Sequence, residues 1–131
     1  RYYDEFNSYI QALEVTNQIY VLGKVPYADV VSLMLSSKAI INPSLFEGWS
    51  TTVEEAKSLG KKLLLSDINV HFEQLGKSAI YFKKNCPDSL ADQIEGFLNK
   101  KYIKQSIEDL TKQNQEKVFE FSEKFKNTML S

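Results

Sequence analysis

The sequence predicts an α/β protein: a Rossmann-like, doubly wound parallel sheet with helices at its carboxyl-terminal end. Three observations carry this. Short runs rich in apolar residues, Gln18 to Leu22, Ala39 to Asn42, Lys62 to Leu65 and Ala79 to Phe82, alternate with stretches of helical periodicity. The runs are too short to alternate polar with apolar side chains, as expected for strands covered on both faces. The loops richest in unusual residues, Gly23-Lys24-Val25, Pro43 to Ser50 and Ser66-Asp67, each follow one of these runs. They therefore fall at carboxyl ends of strands, on the rim where such sheets bind ligands.

The first element is a helix over 3–14, with Tyr3, Phe6, Ile10 and Leu13 at helical spacing. Gln18 to Leu22 reads as a strand punctuated by Gly23. Pro26 sits where its fixed φ and missing N–H cost nothing, just before a helix over 27–36 with Val30, Val31, Leu33 and Met34 inward. The strand over 39–42 stops at Pro43, and a helix over 51–59 ends at Gly60. A strand over 62–65 precedes Ser66-Asp67, and a short helix or turn over 69–76 contains Glu73. A fourth strand over 79–82 leads to a helix from Pro87-Asp88 with Leu90, Ala91, Ile94, Phe97 and Leu98 on its apolar face. From about 102 to 130 the chain reads as helix, broken near Lys112 to Gln115.

The chain has 131 residues, so a single domain is expected, and its 43% hydrophobic and 25% charged content is ordinary for a soluble one. A net charge of −1 supplies no basic field to gather nucleic acid or anionic lipid. One cysteine, Cys86, excludes an internal disulfide framework and fits a reducing compartment, hence the cytoplasm. No apolar run approaches a membrane span, and no signal-peptide pattern is present. The first residue is Arg1 rather than Met, which points to a piece of a longer protein.

Chemistry concentrates between 38 and 60. A strand, a Gly-containing loop and a helix start are how α/β proteins build anion sites, because the first helical N–H groups have no internal partner. Thr51-x-x-Glu54 has the form of a capping box, which accounts for Glu54 and could account for Glu55. It does not account for Glu47, a loop carboxylate between Phe46 and Gly48. In a functional reading, N–H groups at 50–52 hold a diphosphate and Gly48 lets the backbone approach it. A carboxylate one turn into the helix accepts both hydroxyls of a ribose. A second carboxylate, on the loop, meets sugar hydroxyls or stabilises positive charge developing at an anomeric carbon.

The run Glu47-Gly48-Trp49-Ser50-Thr51-Thr52-Val53-Glu54-Glu55-Ala56 resembles the E-x7-E signature of retaining GT-B glycosyltransferases of the "group 1" type, glycosyltransferase family 4. Leu22 to Pro26, Leu33, Pro43-Ser44, Gly60, Ser66-Asp67, Glu73 and Gly76 come in that family's order, so the resemblance covers about 18–98. It implies the carboxyl-terminal, donor-binding half of a GT-B fold. Glu47 is then the catalytic carboxylate, contacting the donor sugar and supporting its departing bond. Glu55 binds the ribose; Gly48, Trp49, Ser50, Thr51 and Thr52 meet sugar hydroxyls and diphosphate. Gly23, Lys24 and Val25 line the base pocket, with Ser44 and Asp67 as neighbours.

The resemblance also implies a nucleoside-diphosphate sugar, UDP- or GDP-linked, as donor, with no metal and no other cofactor. The acceptor would be a glycan or lipid-linked sugar, as in polysaccharide biosynthesis. The partner is an amino-terminal acceptor domain absent from these residues, toward which the last helix would turn. This piece alone is expected to be inactive. Membrane contact is expected only through the absent domain, with the parent cytoplasmic or peripheral at the cytoplasmic face. Family members often carry Gly-Leu-Pro where this chain has Ser50-Thr51-Thr52, so sugar selectivity is left open.

Two other classes remain: a catalytically dead nucleotide-binding module, and an interaction domain of the response-regulator sort. The second wants an acidic pair near the chain start, but Asp4 and Glu5 lie on a predicted helix. Of the remaining residues, His71 has no partner pattern and is expected to be structural or solvent-facing. Cys86 is expected to be inert and Trp49 to pack. Lys100-Lys101 read as a solvated face, and Phe119, Phe121 and Phe125 as core or docking contacts, exposed in part.

Overall fold

A computed structural model describes residues 1–99, 115–124 and 127. They fall into two compact units, Arg1–Val30 and Val31 onward, the division lying within a helix.

The first unit holds α1 (Tyr2–Ala12) and the start of α2 (Tyr27–Ser36). Of the apolar residues placed inward on α1, only Ile10 is buried; Tyr3, Phe6 and Leu13 are exposed. The strand expected over 18–22 is not formed. Gln18 and Ile19 give their N–H groups to Val15 O in a turn, and the Tyr20 hydroxyl donates to Asn17 O at 3.2 Å. β-propensity makes a strand only where a neighbouring strand takes the ladder bonds. No strand among the described residues pairs with this segment, and Ile19, Tyr20, Val21 and Leu22 stand exposed.

The second unit is a parallel α/β layer. Its sheet has three strands in the order β1 (Ile40–Asn42), β2 (Leu63–Ser66) and β3 (Ile80–Phe82). All pairing is parallel, with Ile41 opposite Leu64 and Leu65 opposite Tyr81. Parallel strands need crossovers, and helices supply them. α3 (Thr51–Ser58) connects β1 to β2, and α4 (Asn69–Leu75) with a 3-10 turn over Gly76–Ser78 connects β2 to β3. α5 (Pro87–Asn99) follows and touches β3; residues 115–124 are also helical.

The middle strand is buried from end to end, as its uniform apolar run predicts. Leu63 and Leu65 form the core with Val53 and Ala56 of α3, flanked by Ile40, Leu75, Ala79 and Tyr81. α3 ends in a Schellman motif: Lys61 N–H bonds Ala56 O and Gly60 N–H bonds Lys57 O, each at 3.0 Å. Gly60 takes the required left-handed turn at φ +66°. The Lys61 ammonium then reaches back to the carbonyls of Leu35 and Ser37 at the end of α2, where a cation suits the helix dipole. Burial lowers its pKa. The helix expected over 102–130, with its break near 112–115, lies mostly outside the described residues. Within it Phe119 is exposed and Phe121 half-buried.

Candidate functional site

β1 ends at Asn42, a buried amide at the carboxyl end of a buried strand. Its side chain organises the loop that follows. Asn42 Oδ1 accepts from Ser44 N–H at 3.1 Å, and Asn42 Nδ2 donates to Glu47 Oε1 at 2.9 Å and to Ser50 Oγ at 3.3 Å. Ser44 Oγ donates to the same Glu47 oxygen. An ionised carboxylate only accepts, so these donors favour the charged form. Burial by itself would raise the Glu47 pKa; bonds from Ser44, Ser50 and Asn42 outweigh it and hold the carboxyl below its ordinary value. The sequence reading did not single out Asn42. A polar side chain closing a short apolar strand just before Pro43 was the available signal.

The helix start differs from expectation by one residue. Ser50, with extended φ −85° and ψ 108°, is the N-cap, and its Oγ accepts from Val53 N–H at 3.3 Å. Thr51 is already helical, so the capping box over Thr51 and Glu54 is not formed. The Glu54 carboxylate instead accepts from Gln74 Nε2 at 3.0 Å and lies 4.0 Å from Lys57 Nζ. Val53 and Ala56 set the buried stripe of α3. At about 100° per residue, Glu54 and Glu55 leave on its opposite flanks. Glu54 faces α4; Glu55, half-buried, lies on the other side. Gly48, Thr51 and Thr52 are exposed. Trp49, expected to pack, is 57% exposed: the loop is held by polar bonds from Asn42 and Ser44 to Glu47 and not by burial of the indole.

α4 closes the back of the site. His71, for which a solvent-facing place was one expectation, is fully buried. Its Nδ1 lies 2.9 Å from Ser66 O, and its carbonyl accepts from the Tyr81 hydroxyl at 3.2 Å. Burial raises the Tyr81 pKa, so that hydroxyl stays a donor. Gln74 Nε2 also donates to Ser50 O at 2.9 Å, tying α4 to the start of α3. His71 Nε2 and Gln74 Oε1 are buried without a hydrogen-bond partner, each at a cost of about 1–3 kcal/mol. Asp67 points elsewhere: its Oδ1 accepts from Lys84 N–H at 2.7 Å and fixes the loop after β3.

Glu47, Gly48, Trp49, Ser50, Thr51, Thr52 and Glu55 thus share one loop and helix start at the carboxyl end of β1, with Ser44 bonded directly to Glu47. Gly23, Lys24 and Val25 belong to the other unit, in the loop before α2, where Gly23 takes φ +67° and Lys24 is exposed. A cavity of about 200 Å³ lined by Lys62, Lys77, Ile80 and Phe97 lies at the opposite, amino ends of β2 and β3 and is separate from this site. Among the described residues no cluster of His, Cys, Asp and Glu could hold a metal ion, and no helix is long and apolar enough to cross a membrane.

The sheet rim thus carries an ordered acid beside a capped helix start. The family profile described as glycosyl transferases group 1 matches residues 1–117. The chain belongs to the group 1 glycosyltransferases. No curated protein matches it significantly. Membership in the group 1 glycosyltransferases supports a transferase acting on sugars, and the Rossmann-like parallel layer agrees with that family.

Proposed function

We propose that this group 1 glycosyltransferase domain is the donor-binding half of a retaining GT-B enzyme of the family 4 type. It would bind a nucleoside-diphosphate sugar for transfer to a glycan or lipid-linked acceptor held by another domain. One observation carries the reading: Glu47, a loop carboxylate beside the start of α3, is held ionised by Asn42 and Ser44, both bonds falling on Oε1. Oε2, which takes neither bond, is the oxygen for a sugar hydroxyl or for charge developing at the anomeric carbon.

In this reading the backbone from Gly48 to Thr52, with Gly48, Trp49, Thr51 and Thr52 exposed, meets the diphosphate, where the N–H groups of a helix start favour an anion. Glu55, diverging from Glu54, receives the ribose hydroxyls. Gly23, Lys24 and Val25 contribute to the base pocket through backbone. No metal is invoked. The domain alone would not turn over, since the acceptor half is supplied from elsewhere, and the parent would act in the cytoplasm or at the inner membrane face.

Adding UDP or GDP in large excess to the isotopically labelled chain tests this. Amide resonances of 48–55 should shift, and Glu55→Ala should abolish the response without unfolding the protein. Still resonances with both nucleotides would overturn the reading. In an enzyme with both halves, Glu47→Ala should lower turnover more than nucleotide affinity; the reverse would remove Glu47 from catalysis and favour a dead binding module.

A further inference from the structure

The geometry assigns His71 as the positioning residue of Glu47, acting through a directed relay of hydrogen bonds: His71 to Ser66 to Ser44 to Glu47. The direction of each bond is fixed by the atoms involved. Ser66 O carries no proton and can only accept, so the proton lies on His71 Nδ1, 2.9 Å away. Ser66 Oγ donates to Ser44 O at 2.5 Å; its lone pairs face His71 Nδ1 at 3.3 Å, so the same N–H is shared between both oxygens of Ser66. Ser44 in turn gives its N–H to Asn42 Oδ1 and its hydroxyl to Glu47 Oε1. The residues come from three places in the fold: α4, the end of β2, and the loop after β1.

Burial makes the relay specific. His71 and Ser66 are both fully buried. Burying this imidazole with Nε2 unpartnered costs free energy, which the bond at Nδ1 only partly offsets. Holding Ser66 fixes the carbonyl of Ser44, and so the backbone from which the Ser44 hydroxyl reaches Glu47. Gln74, three residues along α4, holds Ser50 O and hence the start of α3. One short helix thereby sets both walls of the site. Among the described residues, Glu54 and Lys57 of α3 and Tyr81 of β3 are charged or titratable groups bonded to it. This assignment deepens the proposed function and rests on it only for the claim that Glu47 meets a sugar.

An asparagine amide places its nitrogen the same number of bonds from Cα as histidine Nδ1, whereas a glutamine amide places it one bond farther. His71→Asn therefore keeps the bond to Ser66 and His71→Gln loses it, while Glu54, Lys57 and Tyr81 stay in place. The test is the titration of the Glu47 side-chain carboxyl by ¹³C resonance in the ligand-free chain. His71→Asn should keep the lowered wild-type midpoint, and His71→Gln and Ser66→Ala should raise it toward the ordinary value. Equal midpoints in all four proteins would overturn the relay; so would equal shifts in the Asn and Gln variants, which would leave His71 a space-filling role. The wild-type ring needs no variant: its ¹⁵N shifts should show a proton on Nδ1, and a bare Nδ1 with the proton on Nε2 would defeat the assignment. None of these readouts uses nucleotide, so a chain that ignores UDP and GDP would sink the glycosyl-donor reading and leave the relay standing.

Discussion

Glu47 owes its place to hydrogen bonds, since its neighbours Phe46, Gly48 and Trp49 are all exposed. Its carboxyl sits below the ordinary value of 4.5 because Ser44, Ser50 and Asn42 outweigh the effect of burial. The unfolded chain lacks those donors, so folding and ionisation are linked. With a folded pKa below the unfolded one, the stabilisation is complete above the unfolded value and is lost as pH falls through the folded value. Thermal unfolding of wild type and Glu47→Gln should therefore differ most near neutral pH and converge as acidification protonates Glu47. A gap that widened on acidification would contradict the bonding described. Asn42 is the residue on which this arrangement turns, since its amide bonds Ser44, Glu47 and Ser50 together.

Among the elements, α3 has the clearest local grammar: a side-chain cap at its start and a left-handed glycine at its end. The cap is Ser50 and not Thr51, a distinction that stability can read. Ser50→Ala should cost about 1 kcal/mol in urea unfolding, within the usual range for lost caps. Thr51→Ala, exposed and already helical, should stay within about 0.5 kcal/mol. A larger loss at Thr51 than at Ser50 would restore the box that the sequence suggests. α4 is short and poorly signalled, with no charged residue in its first turn and no side-chain cap. Its importance comes from what His71 and Gln74 reach, which periodicity does not reveal.

At the scale of the whole molecule, stability concentrates in the second unit, around a strand exposed nowhere along its length. Leu65→Ala, at a site with no accessible surface, should cost about 2–5 kcal/mol by loss of buried area and the cavity left behind. Tyr20→Ala, at 76% exposure in the segment that forms no strand, should change stability by less than about 0.5 kcal/mol. A comparable loss at Tyr20 would mean that this segment is paired in solution after all. Family membership also belongs to this scale, since the profile spans residues 1–117 and thus both units.

The sequence by itself determined the three strands of the second unit, their parallel α/β order, the position of α3 and the loop carrying Glu47. Each rests on short-range information: apolar runs bounded by Pro43 and Gly60, and helical spacing between them. Tertiary structure alone decided that 18–22 forms no strand, because pairing depends on a neighbour that local propensity cannot supply. It also decided that Glu54 turns to Gln74 and that His71 lies buried behind Glu47. Those contacts join residues 20 or more positions apart, or atoms on different elements, and no pattern along the chain encodes such a meeting.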